Sequence, residues 1–443
     1  MKAMKEMKCL KAALALLTAS ALLGGCSELD ASLDSLLSPP KLNEYQTAIY
    51  NALIQSTGEQ VELTYPRSGD YRSAFVIYNL DDEPTSEAIV FYRTPETPQS
   101  EGGLRVSFLD QQDGQWFDLI DRPLAGREVE SVSFSDFGKG INIVVRCSLL
   151  SQTEQSVTVL DYESGTVDEL YRGSYVFCES TDMDGDGFNE LFLINYDAVM
   201  GYHTAHLIGC YEDEDGNSLF GAVSAVPFGS DVATIQRMSR QGLNENECLI
   251  FLDCSKGSGV FGTQLLHCYG KNLTPMDSEG MTRRNNTYTP IFYSTDIDGD
   301  GRLEIPVTSP LPGYENLTPP EQLYMVEWYY ADEENKENKF KLTRKSSSYI
   351  SPGLEYMFYI PVRWQGLVTV QRSDNTVHFV KYDQEAEILL SIYVQSVQNS
   401  SIPSSAEGWQ VYGGNDGIVV FINTYDGEMA LTEDELQNSL LIL

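Results

Sequence analysis

The chain is short of positive charge. Its 443 residues carry 29 Lys and Arg against 65 Asp and Glu, a formal net charge of −36 at pH 7. A field of that sign excludes the phosphate backbone and the anionic bilayer surface as electrostatic partners, so no nucleic-acid partner is expected. Histidine is scarce too, with four in the chain. Only His203 and His206 lie close together, and residues three apart on a strand point to opposite faces, which argues against a shared metal. Cys147, Cys178, Cys210, Cys248, Cys254 and Cys268 include no Cys-x-x-Cys pair and no spacing of a disulfide-rich module. Most of them sit in apolar runs, where Cys serves as a small buried hydrophobe. Cys254–Cys268 is the pair to test for a disulfide. There is no Gly-x-Ser-x-Gly elbow, no Gly-rich phosphate loop opening a helix and no sialidase-type Asp-box. No catalytic constellation emerges from the residues.

Long apolar runs are also missing after residue 25, where none approaches the length of about 18 that a membrane span needs. The start of the chain is different. Lys2, Lys5, Lys8 and Lys11 precede the apolar run Ala12–Leu23, so residues 1–25 read as a signal peptide. The run ends Leu23-Gly24-Gly25-Cys26, which resembles the bacterial lipobox. That resemblance implies that Cys26 is acylated and becomes the first mature residue; an ordinary signal peptide or an uncleaved anchor is the alternative. Residues 26–41 then read as a flexible tether between lipid and folded domain. The expected location is the bacterial cell envelope, outside the cytoplasm, with the lipid as the membrane attachment and a monomeric body.

Negative charge is concentrated in two places. Asp182-Met-Asp-Gly-Asp-Gly-Phe-Asn-Glu190 returns 114 residues later as Asp296-Ile-Asp-Gly-Asp-Gly-Arg-Leu-Glu304. Alternate residues of a tight turn point inward, so Asp182, Asp184, Asp186 and Glu190 can converge, as can Asp296, Asp298, Asp300 and Glu304. Four carboxylates a few Å apart repel by roughly 1–4 kcal/mol per pair. A hard cation removes that cost, and oxygen ligands in a flexible loop suit Ca²⁺ better than Mg²⁺. The backbone carbonyls of Phe188 and Arg302 would complete each shell. The loops are not EF-hands, because position 12 is Leu193 or Val307 and strand-like residues follow. An acidic hairpin turn without metal is the bland alternative.

The loop belongs to a longer repeat. Asn79, Asp81, Glu83 and Glu87 hold the same positions, although Pro84 marks that copy as a relic. Weaker copies surround Asp136, Glu247 and Asp416, so units start near 79, 134, 182, 239, 296, 358 and 409. Each continues with further strand-like runs separated by Gly, Asp or Asn turns, such as Val157–Tyr162 and Val167–Tyr171. The expectation is all-β: a seven-bladed β-propeller of four-stranded antiparallel blades over residues 60–443, with a short N-terminal helix within 42–58. Two stacked β-sandwiches are the alternative. Asn43 reads as the helix N-cap, Gln46 as its capping-box partner and Gly58 as its stop. Gln60–Tyr65 is a candidate for joining the ring ends, and Thr432–Ser439 for a second short helix.

Strand, Asp-x-Asp-Gly-Asp-Gly-x-x-Glu, then strand, inside a unit near 55 residues, resembles the FG-GAP (or VCBS) repeats of integrin alpha-subunit propellers. The resemblance implies Ca²⁺ at two structural sites. Asp182, Asp184, Asp186, Phe188 and Glu190 would hold one ion, and Asp296, Asp298, Asp300, Arg302 and Glu304 the other. It indicates fold and metal rather than activity. The function expected is a lipid-anchored, non-enzymatic module that binds a protein or glycan. The alternative is a polysaccharide lyase or glycoside hydrolase with its pocket at the central channel.

Overall fold

A computed structural model describes residues 42–443, apart from 82, 95–102, 151–153, 164, 230–231, 258, 277–291, 319–320, 334–339, 352, 354, 374 and 398–407. The leader, Cys26 and the tether lie outside the described residues. Helix α1 (Glu44–Thr57) forms where its caps place it. Asn43 Oδ1 accepts from Gln46 N at 2.8 Å, and Gln46 Oε1 accepts from Asn43 N at 3.2 Å. Two otherwise orphaned backbone donors are thereby satisfied. Gly58, left-handed at φ 74°, turns the chain out of the helix and donates back to Ile54 O. A second capping box, Thr432 with Glu435, opens α2 (Glu433–Ser439).

Among the described residues the remaining regular structure, one short 3-10 turn apart, is β, in six antiparallel sheets that follow chain order. Sheets I to VI span residues 62–123, 128–175, 177–228, 234–275, 304–359 and 368–424. Sheets II, III and IV are four-stranded, each strand pairing with the next in sequence. Neighbouring sheets share cores. Ile89, Phe91 and Phe108 of sheet I meet Val132, Ile143 and Val145 of sheet II. Val144 and Val157 of sheet II meet Leu191 and Ile208 of sheet III, and Phe192 and Leu207 meet Ile250 and Leu266 of sheet IV. Phe251 meets Ile305 of sheet V, and Phe358 meets Phe379 of sheet VI. Sheets II to V are therefore buried on both faces, each against its predecessor and its successor. That continuous stacking is the blade arrangement of a β-propeller rather than two separate sandwiches.

The count differs from the expected seven, because the described strands make six sheets. Tyr356–Tyr359 pairs with Phe340–Ile350 as an outer strand of sheet V. Gln410–Gly414 and Ile418–Thr424 join Ile388–Ser396 in sheet VI instead of founding another. Closure differs as well. Glu62 and Leu63 pair with Arg93 and Tyr92 inside sheet I, and the C-terminal Leu440–Ile442 pairs with Tyr356–Phe358 of sheet V. Among the described residues no hydrophobic core joins sheet VI to sheet I. Instead Ile49 and Leu53 of α1 are fully buried against Ala88, Val90 and Tyr92, on the face of sheet I that points away from sheet II. Burying each of those two side chains is worth about 2 kcal/mol.

The six described cysteines form no disulfide with one another. Cys268 lies directly opposite Cys248 across two strands of sheet IV, whereas Cys254 lies opposite Gly262. The pair that strand register brings together is thus Cys248–Cys268, not Cys254–Cys268.

Candidate metal centre

The 182–190 loop links the first strand of sheet III to its second, and the 296–304 loop leads into the first strand of sheet V, preceded among the described residues by the single bridge Thr295–Glu304. Position 1 organises each turn. Asp182 Oδ1 accepts from Gly185 N (2.6 Å) and Oδ2 from Gly187 N (3.1 Å). Asp296 does the same with Gly299 N (2.7 Å) and Gly301 N (2.8 Å). All four glycines have φ between 76° and 90°, where a Cβ is disfavoured. At Gly185 space forbids one too, since a Cβ would stand 1.8 Å from the Glu245 carbonyl oxygen of sheet IV. Phe188 N donates to Asp186 Oδ1 and Arg302 N to Asp300 Oδ1, both at 2.9 Å.

Position 9 begins the strand that follows the loop and is buried. Glu190 is 1 % exposed and Glu304 0 %. Each receives a backbone N–H from position 2: Met183 N at 2.9 Å and Ile297 N at 3.0 Å. The relic loop of sheet I keeps this feature, with Glu87 1 % exposed and accepting from Leu80 N at 2.6 Å. Sheet IV solves the same problem with a histidine, because Glu247 Oε1 lies 2.7 Å from His267 Nε2. Position 8 ties each acidic loop to the preceding sheet. Asn189 N donates to Asp136 O at 2.8 Å, and Leu303 N to Gln241 Oε1 at 2.7 Å.

The carboxylates converge unequally. Asp182, Asp184 and Glu190 bring one oxygen each within 4.8 Å of one another, and so do Asp296, Asp298 and Asp300. Sequence reasoning missed the cations facing them. Lys345 Nζ sits 2.7 Å from Asp298 Oδ1, 2.7 Å from Asp300 Oδ2 and 2.9 Å from Glu304 Oε1. Lys271 Nζ, from the last turn of sheet IV, is farther from its acids: 3.3 Å from Asp186 Oδ2 and 3.5 Å from Glu190 Oε1. The latter is ion-pair range but too long for a firm hydrogen bond. Glu190 Oε1 accordingly accepts no hydrogen bond from the chain although it is buried.

The electrostatics follow the same division. Burial, then Asp184 and Asp186, push the Glu190 carboxyl up to about 7, against the pull of Met183 N–H and Lys271. Burial also raises Asp184. In the other cage Lys345 and then Arg302 N–H lower Asp300, and backbone donors led by Gly301 lower Asp296. Glu304 is raised by burial. Burial opposes the Lys345 ammonium, but its three carboxylates more than compensate.

The donor set suits a hard divalent cation: carboxylate side chains gathered on one short loop, with one buried oxygen that accepts no hydrogen bond. His203 and His206 lie opposite Tyr196 and Leu193 within sheet III and belong to neither acidic cluster. Elsewhere, a cleft of about 350 Å³ between sheets I and II is lined by Asp70, Tyr71, Tyr78, Ser133, Phe134 and Arg146 among others. The Tyr78 and Phe134 rings stack at 3.7 Å, and Tyr71 stands edge-on to both. Arg146 Nη1 donates to Ser133 Oγ at 3.3 Å, while its buried Nε has no partner.

No protein-family model matches the chain, and no curated protein matches it either. Solved structures align with it at low similarity. An exotype rhamnogalacturonan lyase shares 9 % identity over 83 % of this chain and 63 % of its own, with a TM-score of 0.31. An α-L-arabinanase of Penicillium chrysogenum shares 10 % over 67 % and 93 %, with a TM-score of 0.22. The WD40 domain of Toxoplasma gondii coronin shares 9 % over 85 % and 88 %, also at 0.22. At these values the likeness assigns no activity, and the fold rests on the chain's own strand order.

Proposed function

We propose that the chain is a calcium-stabilised β-propeller of the bacterial cell envelope, anchored by a lipid on Cys26, that binds a glycan or protein without transforming it. One observation carries the calcium: Glu190 is buried, offers an oxygen to the Asp182–Asp184 cluster, and its Oε1 accepts no hydrogen bond, the Lys271 ammonium standing off at 3.5 Å. A buried carboxylate oxygen without a hydrogen bond costs about 1–3 kcal/mol, and a divalent ion removes that cost. Asp182, Asp184, Asp186 and Glu190 would hold one ion, with the Phe188 carbonyl. Asp296, Asp298, Asp300 and Glu304, with the Arg302 carbonyl, form the second candidate set. The ion's role is structural, because each loop is bonded to the sheet before it.

The cleft between sheets I and II supports ligand binding by its aromatic wall and by the Arg146 guanidinium that lines it. Its lining favours binding over catalysis at this cleft, whereas the alternative lyase or glycoside hydrolase would have its pocket at the central channel. Glycoside hydrolysis commonly takes two carboxyl groups, whereas Asp70 is the one carboxylate lining this cleft. A lyase would need a deprotonated base, but burial, Tyr78 and Asp70 all raise the Tyr71 phenol. A screen against glycans and envelope proteins, paired with a reducing-end assay on each glycan hit, tests the reading. Binding that weakens in Arg146→Ala without product formation supports it. New reducing ends released by the wild type but not by Arg146→Ala would establish the enzyme instead.

A further inference from the structure

The two cages share one motif but not one environment. In sheet V, Ser346 lies opposite Trp328 and Arg344 opposite Tyr329, so Lys345 is the extra residue of a β-bulge. A bulge re-aims the side chain it carries, and this one delivers an ammonium to the loop of its own sheet. There Lys345 Nζ lies 2.7–2.9 Å from Asp298, Asp300 and Glu304. Calcium would sit about 2.3–2.6 Å from the same oxygens, so ion and ammonium would claim one position. An ammonium tethered within the same sheet also competes at high effective concentration.

The sheet III cage lacks such an occupant. Lys271 reaches it from the neighbouring sheet, stands off by 3.3 and 3.5 Å, and also lies 3.4 Å from the Cys210 carbonyl. Glu190, 1 % exposed, keeps an oxygen with no hydrogen-bond donor beside Asp182 and Asp184.

We propose that the cage at 182–190 is the calcium site, while the cage at 296–304 is closed by Lys345, its built-in cation, and takes calcium only when that lysine is removed. The inference rests on the calcium reading above and divides it between the two loops.

Calorimetric titration of calcium into the metal-stripped full chain decides it. The wild type binds one ion and Lys345→Met binds two. In the lysine-bearing protein Asp184→Asn weakens binding about 100-fold, whereas Asp298→Asn changes it less than about threefold. The two Asn variants decide the matter even if Lys345→Met does not fold. Two equivalent ions in the wild type, or equal losses in the two Asn variants, overturn the division and leave calcium standing. No binding in the wild type or in Lys345→Met overturns both.

Discussion

Replacing Gly185 by alanine tests how closely the 182–190 loop is wedged against sheet IV. Gly185 and Gly299 occupy the same loop position with nearly the same backbone, φ 76° and 77°. Alanine therefore costs each about 1 kcal/mol through the left-handed conformation. The two positions differ in surroundings. A Cβ at 185 would lie 1.8 Å from Glu245 O and 3.0 Å from its carbonyl carbon, whereas a Cβ at 299 meets nothing within 4 Å. Relieving a backbone overlap of that size requires the Glu245 turn to move, an overpacking cost of about 1–3 kcal/mol more. Gly185→Ala should thus lose about 2–4 kcal/mol and Gly299→Ala about 1. At this chain length 1 kcal/mol is about 1 °C of melting temperature. Melting followed by circular dichroism in excess calcium should therefore show a drop of about 2–4 °C for the first variant and about 1 °C for the second. Equal drops would refute the contact between sheets III and IV on which the reasoning depends.

Truncating Leu53 to alanine should cost about 2–5 kcal/mol in urea unfolding, because it opens a cavity between α1 and sheet I. A loss below about 0.5 kcal/mol, the range of surface substitutions, would mean that α1 does not cover that face. Arg363, followed by the Thr432 N–H, holds Glu435 down to about 2, below its ordinary 4.5. The stability this contributes is complete above pH 4.5 and is lost as the pH falls through 2. The Arg363–Glu435 pair is 37 % and 34 % exposed, so screening limits its worth to about 1 kcal/mol. Glu435→Gln should lose that amount at pH 7 and little at pH 2, as measured by urea unfolding at both values; equal losses would contradict the pairing.

Much of this was legible locally. The capping residues Asn43, Gln46 and Gly58 determine α1 within one turn of its ends, and the helix begins and stops there. The acidic loops were legible because their chemistry is contiguous, and even the degraded copies at Glu87 and Glu247 were placed by spacing. What the sequence could not show was set by distant partners. Lys345 lies 41 residues beyond Glu304, and only the bulge opposite Trp328 and Tyr329 directs it into the cage. Lys271 comes from another sheet, and no local pattern joins it to Asp186. Counting sheets failed for the same reason. Tyr356–Tyr359 and Gln410–Gly414 read as strands, but which edge each would join depends on tertiary pairing. Cys268 faces Cys248 rather than Cys254 because the hairpin that closes at Gly257 and Val260 fixes the register.

The most direct test of the calcium account is the melting temperature of the metal-stripped chain with and without calcium, alongside Asp182→Ala. Calcium at about 100 times its dissociation constant should stabilise the wild type by about 2.7 kcal/mol and leave Asp182→Ala nearly unmoved. A wild-type melting temperature that is the same in calcium and in EGTA would contradict the account.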